Sequence, residues 1–151
     1  MINTDRYQVF LMTSPTSLPF SFASHPWFVL NKKGTVFRWG VGWRPNMYKP
    51  KAQWGHIATD ALPPLQGLPI LHFADRWYWK GKVRGGIEGD EDSIAAKMIN
   101  LIEHSPETYP FKNQYSFLGP NSNTYAQWIL NQFPEAELKL PWNAVGKDSQ
   151  V

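Results

Sequence analysis

The stretch from residue 25 to residue 43, HPWFVLNKKGTVFRWGVGW, reads as two strands and the turn between them. His25 to Asn31 is a run of large apolar residues. Thr35 to Trp43 alternates, with Phe37, Trp39 and Val41 on one side and Val36, Arg38 and Gly40 on the other. Successive side chains of a strand point to opposite faces, so this alternation leaves one face apolar. Lys32-Lys33-Gly34 is short and contains glycine, which makes an antiparallel hairpin the natural connection.

Outward from the hairpin, Tyr7 to Met12 (YQVFLM) predicts a short buried strand, followed by a proline-containing loop. Residues 44–69 hold five prolines and read as a long loop or insertion, with at best a short strand in GHIATD at 55–60. Leu68 to Phe73 and Trp77 to Val83 suggest a further strand pair, and Arg84 to Gly89 is a glycine-rich stretch. Gly40-Val41-Gly42 lacks the continuation that a phosphate-binding loop needs. Ser93 to His104 predicts an amphipathic helix with Ile94, Met98, Leu101 and Ile102 on one side. Asp90 to Ser93 offer capping groups at its start, and Pro106 is expected to stop it. A second helix is expected from about Asn123 to Phe133, with Tyr125, Trp128, Ile129 and Phe133 on one stripe and Pro134 beyond its end. The tail, LKLPWNAVGKD, is expected to add a last strand or to wrap over the surface. Strands first and helices late imply an α+β class, one domain over residues 1–151 with its core between about 7 and 148.

The composition agrees with a folded domain, because 42% of the residues are hydrophobic and only 18% charged. Eight Trp supply either core material or stacking walls, and their spread along the chain favours core. The absence of cysteine excludes disulfides, thiolate metal sites and a cysteine nucleophile. Histidines at 25, 56, 72 and 104 have no ligand spacing, so no metal and no cofactor is expected. The N-terminus lacks the order of a signal peptide, and no apolar run is long enough to span a membrane, which makes the cytoplasm the expected compartment. A net charge of +3 comes from scattered pairs of cations. The aromatic and basic segment WYWKGKVR at 77–84 is better read as a half-buried strand than as a nucleic-acid surface.

The chemistry-bearing candidate lies at the start of the second helix, in Gly119-Pro120-Asn121-Ser122-Asn123-Thr124. A helix start leaves amide hydrogens unpaired and concentrates partial positive charge. One capping side chain is normally enough, yet four consecutive capping types stand here. A nucleophile at this place would have amides to hold an oxyanion, which makes Ser122 the candidate. Plain capping is the competing account.

PNSNTY at 120–125, followed by Trp128, Pro134, Leu140-Pro141 and Ala144-Val145-Gly146-Lys147-Asp148, resembles a bacterial family catalogued as domain of unknown function 3750. His25-Pro26-Trp27, Tyr109-Pro110, Tyr115 and Gly119 also fit its spacing. More distantly, Asn121 to Tyr125 is similar to the Asn-Cys-Asn-Thr-Phe signature of permuted papain-like peptidases, such as the desumoylating isopeptidases, with lecithin:retinol acyltransferase-like proteins related to them. That resemblance implies a papain-like fold with the histidine early, at His25, and the nucleophile late, at Ser122, where serine replaces cysteine. It further implies a His25–Ser122 pair acting on an amide or acyl ester, with Asn121, Asn123, Thr124 and Trp27 as ligand-binding residues. His56 and Asp60 are candidates for a third group, whereas His72 reads as a core histidine and His104 as a helix-end one. A serine hydroxyl needs a base far more than a thiol does, so the exchange also fits a degenerate site. The alternative is a non-catalytic module that captures an anionic or peptide ligand at the same helix start.

Overall fold

The computed structural model describes residues 1–42, 54–71 and 74–149. Strands β1 (Tyr7–Pro15), β2 (Ser24–Lys32) and β3 (Thr35–Val41) form an antiparallel meander. The β2–β3 turn is Lys33-Gly34, with φ of 51° and 102°. Positive φ at both central residues matches the right-handed twist of the strands it joins, so the predicted hairpin closes through two residues. β4 (Ile57–Thr59) adds to the outer side of β3, and β7 (Lys82–Gly89) to the outer side of β1, giving the order β4-β3-β2-β1-β7. β5 (Gln66–Leu71) and β6 (Ala74–Lys80) make a separate two-stranded ribbon. Helices α1 (Ile94–Thr108) and α2 (Ser122–Asn131) follow, and Pro134 opens a short 3-10 helix, Pro134–Ala136. The chain is therefore a small α+β domain with an antiparallel sheet and two main helices, as its sequence implies.

Strand parity sorts the interior. Phe28, Leu30, Trp39 and Val41 pack with Met98, Ile102, Tyr125 and Ile129 of the helices. Trp27 and Val29 project from the opposite face with Met12. Among the described residues, no helix is long and apolar enough to cross a membrane.

One expectation about the elements is corrected, at Pro106. The glycine-rich stretch, to which the sequence assigns no element, is strand β7, paired with β1 from Tyr7↔Gly89 to Thr13↔Lys82. A Cβ on Gly86 would lie 2.7 Å from the Phe10 ring and 3.2 Å from Val9 O, so glycine fits there without a shift, whereas one on Gly85 would meet only the tip of the Leu138 side chain. Pro106 does not stop α1, which runs through it to Thr108. A proline inside a helix leaves the carbonyl four residues back without its donor. Here that carbonyl belongs to Ile102, and the Ser105 hydroxyl donates to it at 2.6 Å. The stretch 44–69 holds β4 and part of β5 in its described portion, whereas Trp43 and His72 lie outside the described residues.

Candidate functional site

The polar side chains at the start of α2 are engaged by the fold. Asn121 is the N-cap, its Oδ1 accepting from the amides of Asn123 (2.9 Å) and Thr124 (3.3 Å). Thr124 Oγ1 accepts in return from the Asn121 amide at 3.0 Å, completing a capping box. The remaining groups reach outward. Asn121 Nδ2 donates to the carbonyls of Phe117 (2.8 Å) and Val145 (3.0 Å), and Thr124 Oγ1 donates to Gly146 O at 2.7 Å. Asn123 Nδ2 donates to Val145 O at 3.0 Å and to Ser24 O, at the start of β2, at 2.9 Å. The tail of the chain thus wraps over the helix start, the second of the two courses its sequence allows. Gly146 sits there at φ +89°, and a Cβ on it would lie 2.5 Å from Asn121 Nδ2. The AVGKD and PNSNT segments touch because each supplies what the other lacks, carbonyls on one side and amide donors on the other.

Ser122, 4% exposed, occupies the first helical position beside Tyr115. Burial raises the Tyr115 phenol above its ordinary pKa, and its hydrogen bond with the Ser122 side chain partly offsets that. The Tyr115 ring packs on His56 at 5.4 Å between centroids. His56 Nδ1 lies 3.2 Å from Gly42 O, and its backbone amide donates to Lys112 O at 2.7 Å.

His25 looks the other way. It shares strand parity with Trp27, and their rings are 6.1 Å apart. Both line a small cleft of about 100 Å³ together with Arg38 and Gly40 of β3, Ala58 of β4 and Leu68 of β5. Burial, and secondly the Arg38 charge, hold the imidazole pKa down at about 3, so it is neutral at pH 7. Among the described residues, no hydrogen bond joins His25 to Ser122. The structure therefore gathers Asn121, Ser122, Asn123 and Thr124 at one helix start, and His25 and Trp27 in a cleft beside Arg38.

Arg38 is the residue that reading the sequence missed as part of a site. It is only 6% exposed, and burial lowers its pKa to about 10, still charged at pH 7. Its Nη1 donates to the carbonyls of Pro63 (2.7 Å) and Gln66, and the guanidinium lies 4.0 Å over the Trp27 ring. The Asp60 carboxylate accepts from the Arg38 backbone amide at 2.8 Å rather than from its side chain. Among the described residues, no carboxylate forms an ion pair with the guanidinium. Its alternation with Trp39 was visible in the sequence, but the Arg38 face reads there as the solvent side. The β5–β6 ribbon and residues 63–66 cover it instead.

No curated protein and no solved structure matches the chain. A family profile described as "Protein of unknown function (DUF3750)" matches residues 7–149, which span every strand, both helices and the tail that closes over α2. The chain belongs to the DUF3750 family.

Proposed function

We propose that this domain is a non-catalytic binding module that takes up a small carboxylate in the cleft between His25, Trp27 and Arg38. The observation that carries this reading is the buried guanidinium without a carboxylate partner among the described residues. A buried cation is costly unless its charge is matched, and an aromatic face and two carbonyls offset only part of the loss. A carboxylate beside Arg38 supplies the missing charge and matches the planar geometry of the guanidinium. The neutral imidazole of His25 leaves one ring nitrogen to donate. A volume of about 100 Å³ suits a group of a few heavy atoms. The helix start is the less suitable place for the ligand, because Asn121 already caps it.

The order of a strand histidine before a helix-start serine supports a permuted papain-like fold in which Ser122 stands where such proteins carry cysteine. In this reading Ser122 is a remnant, buried and turned toward Tyr115. Titration calorimetry with acetate and with acetamide, its neutral counterpart, tests the proposal. Saturable acetate binding that is lost in Arg38→Gln, with no acetamide binding, is expected. Equal behaviour of the two ligands overturns it.

The contact of Ser122 with Tyr115, itself packed on His56, favours one second reading, hydrolysis of an amide or acyl ester. There the Ser122 oxygen adds to the carbonyl carbon while a histidine takes its proton, which then passes to the leaving group as the acyl bond breaks. Water next attacks the acyl-Ser122 ester, the histidine taking the water proton and returning it to Ser122 as the acid departs. Covalent labelling of the wild-type chain by a fluorophosphonate, abolished in Ser122→Ala, is the result that would establish this reading over the first.

A further inference from the structure

The helices cover one face of the five-stranded sheet. On the other face, the β5–β6 ribbon and residues 63–66 stand away from the strands and leave a cavity of about 790 Å³. Phe10, Val29 and Val36 of the sheet line one side, and Leu65, Tyr78 and Trp79 line the other. Ligand sites of 300 to 1,000 Å³ with apolar walls and a few polar groups are typically preformed. Directional bonds hold this one open. Besides the two Arg38 bonds already described, Trp27 Nε1 donates to Pro64 O at 2.7 Å. Trp79 Nε1 donates to Thr16 O at 3.1 Å, and the Leu68 amide to Ser14 Oγ at 3.2 Å. These bonds fix the outer wall to β1, β2 and β3 and to the loop after β1, so it cannot settle onto the sheet without breaking them.

Among the described residues of the lining, Lys80, at the end of β6 and paired with Gln66 of β5, is the ionic side chain, and the α-amino group of Met1 is a second cation. Among the described residues no carboxylate pairs with Lys80. An apolar chamber whose described lining holds cations and no carboxylate complements a molecule with an apolar tail and one negative head.

We propose that this cavity binds a free fatty carboxylate, its tail against Phe10, Val29 and Val36 and its head at Lys80 Nζ. The site is separate from the Arg38 cleft, and its test uses a different ligand, so either reading can fail alone. Calorimetric titration of the full chain with decanoate, below its micelle concentration, should give one saturable site. Decanol should bind about tenfold more weakly, the worth of one charge-assisted contact. Lys80→Ala should bring decanoate down to the level of decanol and leave decanol unchanged. Val36→Trp, which fills the chamber, should weaken both ligands by at least about tenfold, the order expected when buried methylenes lose their site. Leu65→Asp makes the same test at a half-exposed wall position, should the tryptophan disturb folding. The proposal is overturned by non-saturable binding, by equal affinities for decanoate and decanol, or by indifference to both cavity variants. It is also overturned if the chain sediments with anionic vesicles yet binds no decanoate monomer.

Discussion

Asn121 decides whether the helix start is a simple cap or a junction, and replacing it by aspartate separates the two. A plain N-cap accepts asparagine and aspartate about equally, and the helix field favours the carboxylate by about 0.3–1 kcal/mol. If capping were the whole role, N121D would be neutral or stabilising. The structure argues for the opposite sign. The side chain is buried, and its Nδ2 is the donor to both Phe117 O and Val145 O. Aspartate keeps the acceptor for the two helix amides but has no donor to give. Phe117 O loses its side-chain donor, at about 1–3 kcal/mol, Val145 O keeps only Asn123, and an anion is placed against both oxygens. We expect N121D to lose about 3 kcal/mol, a fall of about 1.5 M in urea midpoint for a slope near 2 kcal/mol/M. N121A should fall by a similar amount, because it loses the cap as well.

The pH dependence sharpens the test. Burial and the facing carbonyls should raise the carboxyl pKa in the folded N121D chain above its unfolded value. Protonation then restores one donor, so the deficit relative to wild type should shrink as pH falls from 7 toward 5. Urea unfolding at several pH values reads both effects. An N121D chain as stable as wild type at pH 7, with no pH-dependent deficit, would refute the junction and leave an ordinary cap.

Three further outcomes follow from other parts of the fold. His25 has a folded pKa of about 3 against 6.5 unfolded, so its stabilising contribution is complete above pH 6.5 and is lost as pH falls toward 3. The wild type should lose about 2 kcal/mol more than His25→Gln between pH 7 and pH 5, measured by denaturant unfolding, and parallel profiles would contradict the buried neutral imidazole. Gly146→Ala should cost about 2 kcal/mol or more, because it adds a clash with the Asn121 amide to backbone strain at φ +89°; a thermal midpoint within a degree of wild type would show that the tail yields there. Ser105 serves both Ile102 O and the Tyr125 hydroxyl at 2.8 Å, so a double-mutant cycle of Ser105→Ala and Tyr125→Phe should show coupling of about 1 kcal/mol, and strict additivity would dissolve the pair.

The parts of the fold that were legible in the sequence are those whose signal is local. The alternation of Phe37, Trp39 and Val41 and the glycine after Lys33 are enough for the β2–β3 hairpin. The 3.6-residue spacing of Met98, Ile102 and their neighbours is enough for α1. Legibility ended where a distant residue supplies the reason. Nothing local assigns Gly85 and Gly86 to a strand; the reason for Gly86 is Phe10 of the neighbouring strand, whose ring lies where a Cβ would go. Pro106 looks like a stop until Ser105 satisfies the carbonyl it leaves open. The same limit applies to the site. Ser122 and its neighbours stood out by residue type, but Arg38 looked like a solvent-facing position because the ribbon that covers it comes about thirty residues later in the chain.

The four-residue run at the α2 start also has a physical reason to be so polar without being a catalytic centre. Three structures meet there, the helix, the first residues of β2 and the returning tail, and each brings backbone groups that would otherwise be buried unpaired. Asn121 can serve them because an amide side chain both donates and accepts, and Asn123 because its nitrogen donates twice, which neither aspartate nor serine does in the same geometry. The arrangement is not perfectly economical: Asn123 Oδ1 is buried with no partner among the described residues. The amide cannot turn over to relieve this, since its nitrogen faces two carbonyls, Ser24 O and Val145 O. An orphan acceptor costs about 1–3 kcal/mol, and the two bonds made on the other side of the same amide have to outweigh it. A side chain kept at that cost is holding β2 and the tail in place, and the residue of β2 that follows Ser24 is His25. The helix start thus positions the rim of the Arg38 cleft through Asn123.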